Sequence, residues 1–337
     1  MRKAYQEARQ RAVSIDRSER GRLVVLGKDR ASYLHGLLTN DITSLQAGTG
    51  CYSAYLTPQG RMISDLWVYE LGDVILLNLP SVATKNTVLQ KLDQFIFSED
   101  VQLGDVTGDF AQMAVVGPEA AGVVATLLGE SAERLSSLHE HGCFRGSVAG
   151  GAAIVTRVTD TGEPGFDLYV EQLRLEALRD ALASLHVGGA DADTIEVLRV
   201  EAGIPRFHVD MNEETIPLEA GIESRAINMN KGCYVGQEVI VRVLHRGHGR
   251  VAKKLVGLTL DHASVPSPGA VVKRVEQEIG RVTSAVRSEA LDRPIALAYL
   301  QRDFLEPGTT VSVDGANAVV TALPFAATDS FRSDRSR

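Results

Sequence analysis

Long apolar segments are missing from this chain. No run approaches the roughly 20 apolar residues that span a bilayer, so the sequence predicts no membrane span. Residues 1–7 also lack the apolar centre of a secretion signal, and the acidic residues Glu7, Asp16 and Glu19 argue against an organelle transit peptide. We therefore expect a cytoplasmic protein.

Cysteine and positive charge are both scarce. Cys51, Cys143 and Cys233 are the three cysteines of 337 residues, and their odd number and wide spacing argue against a disulfide framework. The chain has 35 Lys and Arg against 43 Asp and Glu, a formal net charge of −8. This balance argues against a general nucleic-acid binder, because the affinity of such proteins rests on clustered positive charge.

Residues with the spacing of a closed metal site are also lacking. His139, His141 and Cys143 alternate along the chain, and His245 and His248 form a separate pair. Neither set provides the four closely spaced ligands that a structural zinc site needs. We expect no bound metal.

A strand–glycine–helix pattern occurs twice in the first half of the chain. Residues 23–26 form a short apolar run closed by Gly27, and apolar residues then recur at helical spacing over residues 33–38. Residues 113–116, Gly117 and residues 123–128 repeat this order. The repeat predicts an α+β fold in which two α+β layers face each other.

After residue 238 the sequence changes to short strand candidates, some separated by Pro–Gly pairs, and residues 313–316 form a strong hairpin-turn signal. About six strands predict a small closed or nearly closed β-barrel. The candidates are residues 239–243, 254–260, 271–275, 280–286, 295–300 and 310–313. We divide the chain into a lead-in (1–20), an α+β region of two intertwined subdomains (21–240), the barrel (241–326) and a disordered tail (327–337).

The stretch at residues 231–238, Lys-Gly-Cys-Tyr-Val-Gly-Gln-Glu, brings a thiol, an amine, an amide and a carboxylate together. The thiolate is the reactive form of cysteine, and the positive charge of Lys231 close by favours it. The stretch alone leaves two interpretations open. Cys233 is either an inert residue in a turn that leads into a strand at residues 239–241, or a reactive thiol.

This stretch resembles the signature of the YgfZ-type branch of the glycine-cleavage T-protein (aminomethyltransferase-like) superfamily. The resemblance continues at residues 37–41, 60–66, 161–168, 199–205, 280–284 and 295–299. It implies two facing ferredoxin-like α+β layers around a central folate pocket, with the C-terminal barrel closing one side. It also implies tetrahydrofolate, or a one-carbon derivative of it, as the cofactor.

The resemblance gives catalytic roles to Cys233 and Asp65. Cys233 would be the working thiol. Asp65 would lie near a folate nitrogen, where it could orient or exchange a proton, and burial at the start of an apolar strand would perturb it. The alternative for Asp65 is a strand acid that faces solvent.

The resemblance assigns folate binding to Glu163, Arg199, Lys231 and Gln237. A pterin edge presents an amino group and a ring N–H side by side, and the Glu163 carboxylate could accept from both; otherwise Glu163 is a solvated turn acid. Arg199 would hold the glutamate tail of folate, or pair with Glu201.

A run of basic residues follows the motif. It is either a solvated face or a binding surface for a polyglutamated folate tail or another anionic partner. The run consists of Arg242, His245, Arg246, His248, Arg250, Lys253 and Lys254.

Three functions are open at this point. The main prediction is a monomeric tetrahydrofolate-binding protein that supports assembly or repair of iron–sulfur clusters through Cys233. Such a protein would act transiently with iron–sulfur assembly or client proteins, because clusters are usually held by four protein ligands and one cysteine cannot hold one. The alternative is a folate-dependent one-carbon (aminomethyl-type) transferase, and the third is a binding module without chemistry.

Overall fold

The computed structural model describes residues 2–245, 249–261 and 264–326. The helices of this part are α1 Lys3–Gln10, α2 Arg30–Leu37, α3 Val82–Asp93, α4 Ala120–Leu128, α5 Ala132–Ser136, α6 Leu175–Ser184, α7 Ala192–Glu201, α8 Pro217–Ala220, α9 Glu223–Ala226 and α10 Gln237–His245. None of these described helices has the length and apolar character that crossing a membrane requires.

The strands form two open sheets and a barrel. They are β1 Val13–Asp16, β2 Gly21–Leu26, β3 Thr49–Leu56, β4 Met62–Glu70, β5 Ile75–Leu79, β6 Gln102–Asp105, β7 Phe110–Val116, β8 Cys143–Val148, β9 Gly151–Val158, β10 Gly165–Glu171, β11 Lys253–Leu260, β12 Val271–Arg274, β13 Gln277–Ser288, β14 Arg293–Gln301, β15 Thr310–Val313 and β16 Ala316–Thr321.

The first sheet has the strand order β3-β4-β5-β2-β6, and α2 and α3 cover one of its faces. Successive side chains of a strand point to opposite faces. Leu66 and Val68 of β4 therefore join the core under the two helices, whereas Trp67 and Tyr69 belong to a different cluster on the other face. Asp65 has the same parity as Trp67 and faces away from the helices.

The second sheet repeats this arrangement. Its order, β8-β9-β10-β7-β1, corresponds strand by strand to that of the first sheet, and α4 and α6 cover one face. Phe166 and Leu168 of β10 pack under those helices, and Tyr169 packs in the cluster that contains Tyr69 of the first sheet. The two sheets thus face each other through their helix-free sides, as the predicted fold class requires.

The fifth place in the second sheet is filled from the N-terminus. The sequence predicts only a lead-in over residues 1–20, but Val13–Asp16 is a strand that pairs antiparallel with β7. Short polar-flanked strands of this length carry little periodic signal. The pairing ties the start of the chain into the layer formed by residues 110–190.

The third unit is a closed six-stranded barrel of order β11-β14-β13-β12-β15-β16. The predicted barrel is confirmed, but one predicted member is wrong. Residues 239–243 belong to helix α10, and the sixth strand is Ala316–Thr321, which follows the predicted hairpin turn. The run of Val and Ile residues suggests a strand, but Ile240, Val243 and Leu244 lie at helical spacing and pack into the cluster between the sheets.

Helix α7 connects the sheets to the barrel. It begins at Ala192, because the Asp191 carboxylate accepts from the Thr194 backbone N–H at 2.7 Å and caps it. Val197 and Val200 of this helix pack with Ile295 and Leu297 of the barrel.

Glu201, the last residue of α7, is a fully buried junction. Its carboxylate accepts from the Tyr5 hydroxyl at 2.7 Å, the Ser288 hydroxyl at 2.6 Å and the guanidinium of Arg9. Its backbone carbonyl accepts from the Phe325 N–H at 2.9 Å. One buried acid therefore joins the N-terminal helix, the barrel and the end of the described chain.

Candidate active site

A cavity of about 410 Å³ opens between the helix-free faces of the two sheets. Side chains from both sheets, from the loop after β1, and from the segments after α7 line it. We call it the central cavity; its lining includes Arg17, Arg20, Tyr52, Asp65, Trp67, Asp160, Arg199, Arg206, Phe207 and Arg225. Its size lies within the range of small-molecule and cofactor sites, about 300–1,000 Å³.

Asp65 is a buried carboxyl group in this cavity. Its Oδ2 accepts from the Tyr52 hydroxyl at 2.7 Å, while its Oδ1 is buried without a hydrogen-bond partner among the described residues. Burial raises the pKa of Asp65, and the nearby guanidinium groups of Arg20 and Arg225 only partly oppose this. An oxygen with no partner is free to accept from, or donate to, a bound molecule.

Two aromatic rings and two guanidinium groups form one wall of the central cavity. The rings of Tyr52 and Trp67 have centroids 5.5 Å apart. The Arg225 guanidinium lies 5.2 Å from the Tyr52 centroid, and that of Arg20 lies 4.9 Å from the Trp67 centroid. Such a wall can stack a flat heterocycle, and its cations can attract an anionic substituent.

Three arginines and two aspartates alternate in a buried chain beside the cavity, which we call the polar chain. Arg20 donates to Asp160 at 2.8 Å. Arg17 donates to the same carboxylate at 2.6 Å and to Asp167 at 2.9 Å. The Gln112 amide then links Asp167 (2.8 Å) to Arg22 (3.4 Å). Burial alone would raise the pKa of Asp160, but Arg17 and Arg20 hold it well below its ordinary value, so this acid is ionised.

Of the predicted folate-binding residues, Arg199 lines the central cavity but has no donor left for a ligand. Its five N–H groups donate to the carboxylates of Glu196 and Asp210, the hydroxyl of Ser284 and the carbonyl of Ile204. The expected pairing with Glu201 is wrong, because Glu201 binds other partners. Arg199 instead fastens α7 to the barrel.

Glu163 is buried, not a solvated turn acid. Its carboxylate pairs with the Arg9 guanidinium, and it is not among the residues that line the central cavity, although Thr161 of the same turn is. The structure therefore brings Glu163 to the edge of the site through its turn and holds it there by an ion pair with the N-terminal helix.

Lys231 is a structural cation. Its Nζ donates to the backbone carbonyls of His35, Leu38 and Asn40 at 2.5, 2.6 and 2.9 Å, and burial lowers its pKa to about 8. These carbonyls lie at and just beyond the end of α2, where a positive charge is favourable. Lys231 thereby anchors the motif loop to the first layer.

The thiol of Cys233 is exposed and does not line the central cavity. Gln237, at the start of α10, lies outside the cavity lining as well. Between them, Gly236 adopts φ +86°, and a Cβ there would lie 2.6 Å from the Thr57 carbonyl. The glycine is needed because the motif loop packs closely on the turn between β3 and β4.

The other cysteines are poorly suited to thiolate chemistry, because burial raises the pKa of Cys51 and of Cys143 to about 12. No group of three or more His, Cys, Asp or Glu side chains in the described part of the chain is placed to hold a metal ion. His248 of the predicted His245 and His248 pair and Arg246 of the basic run lie outside the residues that the structure describes, as does the tail at residues 327–337.

Sequence reasoning missed most of the cavity wall. Tyr52, Arg20 and Arg225 come from three separate segments without a motif. Trp67 is the one tryptophan of the chain, and it lies two residues after Asp65 and so on the same face of β4. That parity is a signal that could have been used.

Both main parts of the chain match models of one protein family. A family model for the GCVT N-terminal domain matches residues 1–231, and one for the glycine cleavage T-protein C-terminal barrel domain matches residues 253–326. The chain belongs to the glycine cleavage T-protein family. The fold agrees: the glycine cleavage system aminomethyltransferase T of Bartonella henselae superposes with a TM-score of 0.87 at 24% identity, over 96% of this chain and 89% of that one.

Curated relatives of this T-protein family member are named aminomethyltransferase. The Streptomyces coelicolor protein is 31% identical over 96% of this chain and 89% of its own length. The Rubrobacter xylanophilus protein is 33% identical over 88% of this chain and 78% of its own length. These relatives overturn the main functional prediction: they favour the transferase alternative, and nothing in them supports a role in iron–sulfur assembly.

Proposed function

We propose that this protein is a folate-dependent aminomethyltransferase, with tetrahydrofolate bound in the central cavity. The observation that carries the proposal is Asp65, a buried carboxyl group with one unpartnered oxygen beside an aromatic wall. The name shared by the relatives supports the class of reaction.

Asp65 would accept a proton from the folate nitrogen that receives the one-carbon group, and would later return it. When an aminomethyl group becomes the bridge of methylene-tetrahydrofolate, two C–N bonds to folate nitrogens form, and the bonds from the carbon to the amine and to the donor break. Two folate N–H groups therefore give up their protons, and the departing amine and the released donor atom each gain one. Burial raises the pKa of this carboxyl group, which makes it a better acceptor of a proton from such a nitrogen and allows it to return that proton. Tyr52, which donates to Oδ2, would hold Asp65 so that Oδ1 meets the nitrogen.

The wall of Tyr52 and Trp67 would stack the pteridine ring, and Arg225 would receive the carboxylates of the glutamate tail. Arg225 suits this role better than Arg199, because its side chain is a third exposed and its ion pair, with Glu140, is long at 3.6 Å. Glu163 and Arg199 would act as positioning residues that hold the turn and α7 around the cavity.

The motif at residues 231–238 keeps its resemblance to the YgfZ-type branch, and membership of that branch stays a prediction. A cytoplasmic location and a monomeric state stay predictions too. Transfer itself would not need Cys233, because the thiol is exposed and outside the cavity lining. Cys233→Ser should therefore retain at least half of the wild-type rate of transfer.

The test is a direct assay with the full chain. Calorimetric titration with tetrahydrofolate measures binding, and formation of methylene-tetrahydrofolate from an aminomethyl donor measures transfer. Binding with turnover supports the proposal. Binding without turnover indicates a binding module, and the absence of binding at about 1 mM tetrahydrofolate would remove the folate site altogether.

A further inference from the structure

A second cavity of about 240 Å³ lies between the same two sheets and shares no lining residue with the central cavity. Val24 and Leu76 of the first sheet and Ile154 and Tyr169 of the second contribute to it, and Val106 and Phe110 border it. Its walls are mainly apolar. We call it the second cavity.

Two cations line this apolar surrounding: Arg145, which donates to Asp73 at 2.6 Å, and Arg22. Arg22 is among the largest fully buried side chains of the protein, with 1% of its surface exposed, and it lines the second cavity. Its Nη2 donates to the carbonyls of Ser18 (3.1 Å) and Thr107 (2.8 Å), whereas its Nε is buried without a partner. Among the described residues, no carboxylate forms an ion pair with it. A buried guanidinium without a counter-ion is energetically costly.

The formal charges of the side chains in the polar chain do not balance, and Arg22 is the last residue of that chain. Arg20, Arg17 and Arg22 contribute three positive charges, and Asp160 and Asp167 contribute two negative ones. Both aspartates contact Arg17 or Arg20 directly, while Arg22 reaches Asp167 only through a neutral amide. Among the three arginines of the polar chain, Arg22 is therefore the one without a direct carboxylate contact, and an added carboxylate would be best placed beside it.

We infer that the second cavity binds a small carboxylate with an apolar body, whose carboxylate pairs with Arg22 and whose body fills the space between the sheets. Three of the five N–H groups of Arg22 donate to the described residues, and the two that remain suit the two oxygens of a carboxylate better than a phosphate, which presents three strong acceptors. The cavity is smaller than the 300 Å³ or so at which sites for drug-sized ligands begin, so the body is the size of one ring or a short branched chain.

The probe for this site is 3-phenylpropionate, which has one carboxylate and one ring. The uncharged amide of the same shape, 3-phenylpropionamide, is its matched control. Titration of the full chain, followed by NMR or calorimetry, should give a Kd of millimolar or better for the acid and at least tenfold weaker binding for the amide. Saturating tetrahydrofolate should leave both values unchanged.

Two variants locate the binding. Arg22→Gln removes the charge, and Ala152→Trp blocks the cavity at an exposed lining position, where the ring should not disturb folding. Each should weaken binding of the acid at least tenfold. Arg302→Gln, which removes an exposed arginine of the barrel region, and Ala83→Trp, at an exposed position of α3, should bind as the wild type does.

Several results would overturn the inference: no binding at about 10 mM acid, equal affinity for acid and amide, or unchanged binding by Ala152→Trp. If Arg22→Gln does not fold, the comparison of Ala152→Trp with Ala83→Trp and of acid with amide decides the matter. Because these readouts need no turnover, they are independent of the transferase proposal.

Discussion

Replacing Asp65 by asparagine separates proton exchange from folding. The amide has the shape of the carboxyl group and can still accept from the Tyr52 hydroxyl through its oxygen, so the wall of the central cavity should persist. It cannot take up a proton from a bound nitrogen. General acid–base groups contribute about 10²- to 10⁴-fold to rate, so kcat should fall by that factor, or about 2.7–5.5 kcal/mol in activation free energy.

The free energy of unfolding of Asp65→Asn should not fall as its kcat does. The pKa of Asp65 is raised in the folded protein, so the folded state binds its proton more tightly than the unfolded chain does. The favourable contribution of that proton is present below the unfolded pKa of about 4 and is lost as pH rises through the folded pKa. At neutral pH, Asp65→Asn should therefore be as stable as the wild type or more stable, because it buries no charge.

The measurement combines kcat, the Kd for tetrahydrofolate and urea unfolding for Asp65→Asn and for a control, Asp73→Asn, whose carboxylate is exposed on the surface. The reasoning would be refuted if Asp65→Asn bound tetrahydrofolate normally and turned over within about threefold of the wild type, since each tenfold in rate represents about 1.4 kcal/mol. A loss of stability at pH 7 would equally contradict the assignment of a raised pKa.

Three further changes test the framework around the site. Arg9→Gln leaves two buried carboxylates without their cation and should reduce the free energy of unfolding by about 3–5 kcal/mol in urea titrations; a loss below about 1 kcal/mol would contradict a buried pairing. Gly27→Ala should reduce the free energy of unfolding by about 3 kcal/mol, because φ is +99° and the new Cβ would lie 1.9 Å from a backbone oxygen. Its control is Gly36→Ala, which has open space in a helix and should raise the free energy of unfolding by up to about 1 kcal/mol. Asp160→Asn should lose stability at neutral pH, and its deficit should shrink as pH falls below about 4 through the lowered pKa of this carboxyl; a deficit constant from pH 7 to pH 2 would argue against that pKa.

The layers of the fold could be predicted from periodicity because they depend on local pattern. The runs at residues 23–26 and 113–116, each closed by a glycine, are strands β2 and β7, and the helical spacing after each is α2 and α4. The C-terminal strands follow turn signals in the same way. These elements are amphipathic, and an amphipathic element shows its buried face in its own sequence.

Residues 239–243 show where local pattern fails. A run of Val and Ile favours a strand, yet the contacts that decide between strand and helix come from the cluster between the sheets, far away in sequence. The same limit applies to Arg199. Its sequence context shows a cation at the end of a helix, but not that Asp210 and Ser284 use up its donors.

The candidate site was predictable only in part for the same reason. The family resemblance points to Asp65, whereas the residues alone leave a strand acid that faces solvent equally open. Arg20 and Arg225 could not be predicted, because each is an ordinary charged residue until the fold places it over an aromatic ring. The exposure of Cys233 could not be predicted either, since it depends on the anchoring of Lys231 to the end of α2.

The junction at Glu201 has a consequence for the order in which the protein can fold. Tyr5 leaves the ribosome 196 residues before Glu201, and Ser288 follows Glu201 by 87. The contacts of the first helix with Glu201 therefore cannot form until about 200 residues have been made, and the contact of Glu201 with the barrel forms later still. Contacts this distant in sequence slow folding and leave partly formed sheets exposed. Synthesis speed and chaperone supply should thus affect the yield of this protein more than that of a chain whose ends fold locally.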